Sequence, residues 1–485
     1  MNQQYTVPHT QSRLIISIVI GLFALMMGAA AGALVVGIPN AMNLFVIVVG
    51  LFALLASVAR AEWGLLVLVF ITYTRFSDIA ITFHSAPSTT KSFIALLIML
   101  IIFRWVVYGE RPQGWQRSVA FLVGFGVIVF TSLLYAANPE DSQAAIENFV
   151  KDAIIVVIIT VMLHRKQLLY YVIWTLLGAG IFLGTLSVVQ YATGTFNMNY
   201  GGFAQAPIQH LIGESSGHRV AGPIGDPNFY AQIMLVLVPL ALDRLWSEKR
   251  RLLRGIALWA LVVCVLTVTL TFSRGAFLAL IVAVGVLYLL RPPPVSVVLV
   301  TLILVLVMIP FIPTQYASRM LTITDIIPDT SASYSEDASF RGRTSELMVG
   351  WLMFKDHPLL GVGYDNYPVY YQEYSRRVGL DPRLEQRSAH NIYIEVAAEL
   401  GLFGLAAFGL IIWGVLNSIW RAYQSFKVAG MKEDANMAIS FGVGVVGYLA
   451  AAMFIHDAYP RFLWLLVGIS LSLMNVAKNE TGRVG

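Results

Sequence analysis

Three short polar motifs carry the residue types that proton transfer and anion binding need. They are His390-Asn391, Ser273-Arg274-Gly275, and the run from His218 to Asp226 that contains Arg219. Histidine as a residue type changes charge near neutral pH, so one placed at an aqueous surface can take a proton from a hydroxyl group. Arginine presents a planar fork of donors that matches phosphate oxygens in pairs. The motifs therefore predict a general base beside a cationic pocket for an anion of the pyrophosphate type.

The polar stretch that holds His390 adds two arginines, Arg341 and Arg343, to the predicted anion pocket. Asn391 is a predicted N-cap for the apolar helix that follows, and Glu395 lies one turn into that helix. For each motif taken alone, a structural role is the alternative: a rim histidine bonded to the backbone, a paired or snorkelling arginine, or a glutamate on a helix edge. The prediction of a site therefore rests on the whole set.

Sequence motifs for several other chemistries are absent. The chain has no P-loop with its lysine, no cysteine and histidine spacing for zinc, and no Gly-x-Ser-x-Gly elbow. It also has no compact Asp-x-Asp pair that would hold a metal beside a nucleotide-sugar diphosphate. We therefore expect a mechanism that uses neither a metal ion nor a cofactor.

The composition is that of a polytopic membrane protein. Of 485 residues, 58% are hydrophobic and only 12% are charged, and the mean hydropathy is +0.73. Soluble domains carry about 25% charged residues. The net charge of +5 is assigned to basic residues that flank membrane spans, so no nucleic-acid partner is expected. The one cysteine, Cys264, lies in an apolar run and excludes a disulfide within the chain.

A helix needs about 20 apolar residues to cross the hydrocarbon core of a membrane. Apolar runs of this kind predict an all-α polytopic membrane protein with about 12–14 transmembrane helices and a large helical loop outside the membrane. The predicted spans are 14–36, 41–59, 62–74, 91–108, 118–136, 147–164, 167–190, 227–243, 252–272, 275–290, 295–313, 392–420, 436–456 and 460–476. The run 62–74 is short and is also compatible with a re-entrant segment.

Basic residues in the connections predict the orientation. The strongest cluster is expected in the cytoplasm and comprises Arg244, Lys249, Arg250, Arg251 and Arg254. With this cluster inside, both termini are cytoplasmic and the three polar motifs lie on the outer side. Arg219, Arg274 and Arg461 then stand in outer connections, where the rule expects few positive charges, and this marks them as functional candidates.

The hydropathy pattern divides the chain into a bundle of membrane helices over 1–313, an outer loop with short helices over 314–389, and C-terminal membrane helices over 390–485. These boundaries follow the return of the apolar runs on either side of the loop.

Two helices are predicted within the outer loop. Apolar residues recur at the helical period over 342–355, and His357-Pro358 ends that helix. The second helix opens at Pro368, with Asp365 or Asn366 as its cap. The tyrosines around it are interpreted as packing residues in preference to a platform for sugar stacking.

The motifs of the second half of the chain occur in an order that resembles a known superfamily. They are Ser273-Arg274-Gly275-Ala276, Arg343 through Trp351, His357-Pro358 through Gly361-x-Gly363, and His390-Asn391 through Glu399-Leu400-Gly401-Leu402-x-Gly404. In this order and setting they resemble the shared core of the O-antigen ligases and O-antigen polymerases. The resemblance extends over about Arg219 to Gly404, and the first 190 residues share only the hydropathy.

The resemblance implies a multi-pass glycosyltransferase of the bacterial inner membrane whose active site faces the periplasm. Members take a glycan from undecaprenyl pyrophosphate and transfer it to an acceptor hydroxyl with inversion. On the matching positions, His390 would activate the acceptor, while Arg274 and Arg219 would hold the pyrophosphate. We add Asp457, in the opposite outer turn, as a residue expected to orient His390.

Three functions remain open on the sequence. The first is an O-antigen ligase that moves undecaprenyl-linked polysaccharide to a sugar of the lipid A-core. The second is a polymerase of O-antigen or exopolysaccharide that uses the same donor and a second lipid-linked glycan as acceptor. The third, from another class, is an anion transporter of the bicarbonate type, which should place its ionisable residues near the midplane on broken helices.

Overall fold

The computed structural model describes residues 53–212, 215–293, 338–379, 386–455 and 461–482, together with the isolated positions 50, 295, 298 and 299. The first half contains α1 Ala61–Thr74, α2 Phe76–His84, α3 Thr89–Tyr108, α4 Gln116–Ser132, α5 Pro139–Met162, α6 Lys166–Thr193, β1 Ile208–Ile212, β2 Ser215–His218, α7 Pro227–Ser247, α8 Arg251–Leu270 and α9 Arg274–Leu290. The second half contains α10 Ala338–Asp356, α11 Tyr367–Val378, α12 Ile392–Val428, α13 Lys432–Ala451 and α14 Arg461–Thr481. The two short strands pair in antiparallel fashion as one hairpin.

The predicted helical membrane fold is confirmed. Among the described helices, seven are long and apolar enough to cross a membrane, and an eighth is added if the bent pair α1 and α2 forms one span. Every predicted span that falls on described residues coincides with a helix. The predicted span 14–36, and most of 41–59 and 295–313, lie outside the described residues. The chain is a multi-pass membrane protein.

Two outer connections are more helical than the sequence predicts. The segment after 74 contains α2, which is bent by 55° from α1 at Arg75; nine residues of mixed polarity are too few to register as a span. The helix α5 begins at Pro139 rather than 147, because Asn138 caps it through its side chain and proline opens it. A polar first turn is helical but carries no hydropathy signal.

Contacts at one end of the bundle join connections that are predicted to share the cytoplasmic side. Lys166 Nζ lies 3.4 Å from Asp434 Oδ2. The amide of Asn479 donates to the carbonyl of His164 at 3.1 Å. Basic loops that are far apart in sequence therefore meet at this end.

Contacts at the other end join the predicted outer connections. The backbone amide of Asn138 donates to Asn366 Oδ1 at 2.8 Å, which ties the α4–α5 connection to the loop. The backbone amide of Ile392 donates to the carbonyl of Ala452 at 3.0 Å, which joins the start of α12 to the end of α13. The candidate motifs therefore belong to one end of the molecule.

The helix α10 confirms the predicted loop helix and extends it slightly at both ends. It ends just before His357-Pro358, as predicted. Gly350 lies directly against the side chain of Ile394 on α12, so the loop helix rests on the membrane bundle. Its opposite face leaves Leu347, Met348 and Trp351 exposed.

A break in α12 joins the loop to the bundle. Gly401 has φ 62° and ψ −158°, a region that is essentially restricted to glycine. The break frees the carbonyls of Ala398 and Glu399, which accept hydrogen bonds from Val362 and Gly363, each at 2.9 Å. Inside or beside a membrane every backbone group must find such a partner.

The reverse contacts complete this joint. The backbone amide of Leu402 donates to the carbonyl of Pro358 at 2.8 Å. Gly361 has φ 73°, and a Cβ there would overlap the backbone at Glu399, while a Cβ on Gly401 would overlap the backbone at Leu359. Each glycine, because it has no side chain, leaves room for the backbone of the opposite segment.

We predict that Gly401→Ala lowers the stability of the protein by at least about 2 kcal/mol, because it imposes both a forbidden dihedral pair and a backbone overlap. Thermal unfolding of the detergent-solubilised protein measures the effect. The matched control is Gly409→Ala on the same helix, where an added Cβ meets nothing within 4 Å. Equal melting temperatures for the two variants would contradict the role given to the break.

Candidate functional site

His390 stands at the start of α12, immediately before the cap Asn391. The Asn391 side chain accepts hydrogen bonds from two amides of the first turn, at 3.0 and 3.1 Å, which confirms the predicted N-cap. His390 has φ 48°, a left-handed backbone that non-glycine residues rarely adopt. Its Nδ1 lies 2.9 Å from Glu346 Oε2 and 3.2 Å from the carbonyl oxygen of Ser388.

Glu346 is a buried carboxylate that α10 carries to this histidine. Its side chain is 1% exposed, and Arg387 Nη1 lies 2.7 Å from its other oxygen, Oε1. The carboxylate therefore divides its two oxygens between a guanidinium and an imidazole. A buried carboxylate needs such partners because desolvation of an unpaired charge is costly.

Sequence reasoning missed Glu346, although a signal was present. Val349, Gly350 and Met353 follow it at the three-, four- and seven-residue spacing of one helix face, and all are buried. A glutamate on the buried face of an amphipathic helix is a candidate for a paired or functional charge. The prediction considered only the apolar members of that helix.

Arg219 is buried and holds two segments together. It is 3% exposed. Its Nε donates to the carbonyl of Thr271 at 2.7 Å, and its Nη2 donates to Asn228 Oδ1 at 2.8 Å. Arg219 therefore lies directly against the turn that leads into Arg274. Much of its guanidinium group is hydrogen-bonded within the protein.

The Ser273-Arg274-Gly275 turn opens α9. Ser273 is its N-cap and accepts from the amide of Ala276 at 3.4 Å. The preceding residue, Phe272, has φ 53°. Gly275 lies so close to Phe454 that an added Cβ would come within 2.6 Å of the phenylalanine Cβ. Arg274 itself is half-buried at the first position of the helix.

One short segment, 452–454, touches both the arginine turn and the histidine motif. Phe454 packs on the turn, as described. The Asn391 amide side chain donates to the carbonyl of Met453 at 3.1 Å, and the backbone amide of Ile392 donates to the carbonyl of Ala452. The structure therefore brings the predicted base and the predicted phosphate-binding turn to the same edge of the bundle.

The two glutamates of α12 are buried rather than solvated. Glu395 lies in the first turn of α12, and its side chain is 6% exposed. Glu399 accepts hydrogen bonds from the amides of Asp365 and Tyr367, at 2.9 and 3.1 Å. Glu399 therefore caps α11. Asn366 is the N-cap residue of α11, one of the two predicted, but its side chain caps no amide of the helix and donates instead to Ser142 Oγ on α5 at 2.7 Å.

Four tyrosines of the loop are packing residues, as predicted: Tyr367, Tyr371 and Tyr374 share a small loop core, and Tyr364 belongs to the core of the bundle. Tyr364, Tyr367, Tyr371 and Tyr374 are all nearly inaccessible to solvent. Burial, with Glu346 nearby, raises the pKa of Tyr367 well above its usual value. Burial and the Asp356 carboxylate raise the pKa of Tyr374 to about 12. Both hydroxyl groups stay neutral over the physiological range.

The remaining predicted residues are less closely placed. Arg343 is half-buried in the first turns of α10, the helix that carries Glu346. Arg341 belongs to the same helix, but its side chain lies outside the described residues, as does all of Asp457. The carboxylate seen beside His390 is therefore Glu346.

Arg461 pairs with two aspartates that the sequence reasoning missed. Its Nε lies 3.1 Å from Asp152 Oδ1 on α5, and its Nη1 lies 3.5 Å from Asp78 Oδ1 on α2. Arg75, at the α1–α2 break, shares Asp78 at 3.1 Å. The unexpected outer charge of Arg461 is thus explained by an ion-pair network that joins α2, α5 and α14.

Within the described ranges, no group of three or more histidine, cysteine, aspartate or glutamate side chains is arranged to hold a metal ion. The contacts at His390 join an imidazole, the Glu346 carboxylate and the Arg387 guanidinium group. This set suits an anionic ligand and proton transfer.

Comparison with known proteins identifies one family domain in the chain. Residues 259–409 match the family model Wzy_C, described as O-antigen ligase. The chain contains an O-antigen ligase family domain. The matched region of this O-antigen ligase domain encloses Arg274, Arg343, Glu346 and His390, whereas Arg219 precedes it. The expected resemblance is confirmed over residues 259–409, a domain of the type found in membrane enzymes that transfer lipid-linked glycans.

Two further comparisons add no functional information on the O-antigen ligase domain. No curated protein matches the chain. Among solved structures, one similar chain comes from "Structural coordination of polymerization and crosslinking by a peptidoglycan synthase complex", with 16% sequence identity, a TM-score of 0.39, and coverage of 75% of this chain and 97% of the other. A likeness of this degree carries no argument.

We predict that Arg219→Lys destabilises the O-antigen ligase domain, because a point charge cannot bridge Thr271 and Asn228 as the guanidinium fork does. Loss of a charged, buried hydrogen bond costs about 1.5–3 kcal/mol. Thermal unfolding of purified protein should show a lower melting temperature. The control is Arg376→Lys, an exposed arginine on α11, which should leave it unchanged. An unaltered melting temperature for Arg219→Lys would argue against this structural role.

Proposed function

We propose that the protein is an O-antigen-ligase-type glycosyltransferase. It takes a polysaccharide from undecaprenyl pyrophosphate and transfers it to a hydroxyl group of the lipid A-core. The reaction inverts the anomeric centre and needs no metal ion. The basic end of the bundle faces the cytoplasm, so the edge that bears His390 faces the periplasm of a bacterial inner membrane.

The observation that carries this proposal is the convergence of two motifs within the matched domain. His390 and the Arg274 turn both border segment 452–454. A base and a phosphate-binding cation at one membrane edge are what a transfer from a lipid pyrophosphate requires. The predicted spans would hold the isoprenoid in the membrane while its head group reaches this edge.

The chemical step is a single displacement. The acceptor oxygen attacks the anomeric carbon from the face opposite the pyrophosphate, and its proton passes to His390. The bond from the anomeric carbon to the pyrophosphate oxygen breaks, and the electron pair stays on that oxygen. Negative charge therefore grows on the pyrophosphate, where Arg274 stabilises it more strongly in the transition state than in the ground state. Arg219 supports the turn through its hydrogen bond to the Thr271 carbonyl. Arg341 and Arg343 are the further proposed ligands of the pyrophosphate.

The polymerase alternative shares this donor chemistry and differs in the acceptor. Deletion of the gene in its native host separates the two. Bare lipid A-core together with accumulated lipid-linked polymer supports the ligase. A core that carries single repeats supports the polymerase instead, and an unchanged glycan profile would overturn both.

The transporter alternative is favoured by one feature, the bent pair α1 and α2. Its break carries Arg75 and Asp78, but these charges pair with each other and with Arg461. Such an arrangement serves to fix the helices. Flux of bicarbonate into proteoliposomes that persists in a His390→Ala variant would support transport over transfer.

We predict that His390→Ala lowers the rate of glycan transfer by about 10²–10⁴-fold, the usual contribution of a general base. The measurement is in vitro transfer from a defined undecaprenyl-pyrophosphate glycan, with and without chelator. The matched control is His357→Ala, since His357 is an exposed histidine of the same loop. Full transfer by His390→Ala at equal expression would remove the proposed base.

Replacement of Arg274 tests the phosphate-binding part separately. We expect Arg274→Ala to abolish measurable transfer and Arg274→Lys to retain only part of it, because an ammonium group cannot bind two phosphate oxygens as a fork does. Membrane insertion and expression should match the unaltered protein. A lysine variant with full activity would argue against paired binding.

A further inference from the structure

The hydrogen bonds of His390 determine which ring nitrogen carries the proton. Two acceptors face Nδ1: the carbonyl oxygen of Ser388 at 3.2 Å and Glu346 Oε2 at 2.9 Å. A carbonyl oxygen can only accept, so Nδ1 must donate. In the neutral imidazole the other nitrogen, Nε2, then holds the lone pair.

We infer that Glu346 is the positioning residue of the transfer reaction: its carboxylate lies 2.9 Å from Nδ1 of His390 and favours the ring orientation in which Nε2 takes the acceptor proton. The inference rests on the proposed function, because it acts through His390 as the base. It also makes α10, a helix of the loop, a necessary part of the catalytic machinery.

The surroundings of Glu346 suit this role. Its carboxylate is 1% exposed, so its interaction with the imidazole is screened little by water. Arg387 occupies the other oxygen at 2.7 Å and keeps the carboxylate from turning away. Because Arg387 fixes the carboxylate on one side, its other oxygen stays 2.9 Å from Nδ1 and favours one orientation of the ring, while the Ser388 carbonyl accepts the Nδ1–H hydrogen bond that sets the tautomer.

The backbone of α10 is fixed at the same point. The Tyr367 hydroxyl donates to the carbonyl of Glu346 at 2.6 Å. The Tyr367 amide in turn donates to Glu399 on α12 at 3.1 Å. The helix that supplies the carboxylate is therefore tied to the helix that begins beside the histidine, and the 2.9 Å contact does not depend on a mobile side chain alone.

The left-handed backbone of His390 points to the same function. Such a conformation costs a non-glycine residue about 1–3 kcal/mol and persists only where the surroundings impose it. Here the Asn391 cap on one side and the Glu346 contact on the other define the position of the ring. Strain of this kind concentrates at active sites, where orientation matters more than stability.

The proton balance of the step is complete without a further group. The acceptor hydroxyl loses its proton to Nε2 as its oxygen bonds to the anomeric carbon. The imidazole becomes imidazolium, and the Glu346 carboxylate, 2.9 Å from Nδ1, faces the new positive charge. The carboxylate takes no proton, and Nε2 later releases its proton to water. The contact with Glu346 therefore strengthens in the transition state and should affect kcat more than KM.

The test compares three glutamate variants in the full-length protein with defined donor and acceptor. Glu346→Gln has the same shape without the charge, and we expect kcat to fall by about 10²-fold with KM values changed by less than about threefold. Glu346→Asp keeps the charge on a shorter side chain and should retain an intermediate rate. The matched control is Glu373→Gln, since Glu373 is an exposed glutamate on α11, and its rate should equal that of the unaltered protein.

A double substitution separates positioning from general loss of structure. If Glu346 acts through His390, then adding Glu346→Gln to His390→Ala causes no further loss of rate. Two results would overturn the inference. One is a rate for Glu346→Gln close to that of the unaltered protein. The other is a lower kcat that comes with a lower melting temperature and is not rescued by Glu346→Asp. In that case an inactive His390→Ala variant still supports the proposed function, whereas an active one removes the proposed function itself.

Discussion

A helix that breaks at a membrane must satisfy its freed carbonyls within the protein, and the structure around the site depends on how this is done at Gly401. The loop segment 358–363 supplies the missing donors and in return gives its own carbonyls to the amides after the break. The exchange works only because glycines at 361 and 401 let two backbones approach within contact distance. The loop is therefore attached through the backbone, which is more rigid than attachment through side chains.

That attachment fixes the rest of the loop in turn. Glu399, two residues before Gly401, caps α11 with its carboxylate, and Tyr367 of the tyrosine core then fixes α10 through the carbonyl of Glu346. Hydropathy alone would assign these loop residues to an outer segment without contacts to the bundle. The result is a loop whose buried carboxylate reaches a specific nitrogen of a specific histidine.

Local features of this arrangement could be predicted from sequence, and tertiary ones could not. The cap at Asn391, the end of α10 at His357-Pro358 and the membrane spans all depend on residues within a few positions of each other. The pairing of Glu346 with His390, 44 positions away in the chain, depends on how α10 docks on α12. The same reason explains why Glu399 bonds the first amide of α11 in place of the Asn366 side chain, and why the partners of Arg461 were not foreseen: each partner is supplied by a distant helix.

The turns that carry Arg274 and His390 have a consequence for the electrostatic field. Both α9 and α12 begin at the same edge, beside segment 452–454. Each helix N-terminus is equivalent to roughly half a positive charge, so the two together approach the charge of one arginine. This share of the field comes from the peptide backbone. It is present at every pH, and no side-chain replacement at this edge removes it while both helices remain folded.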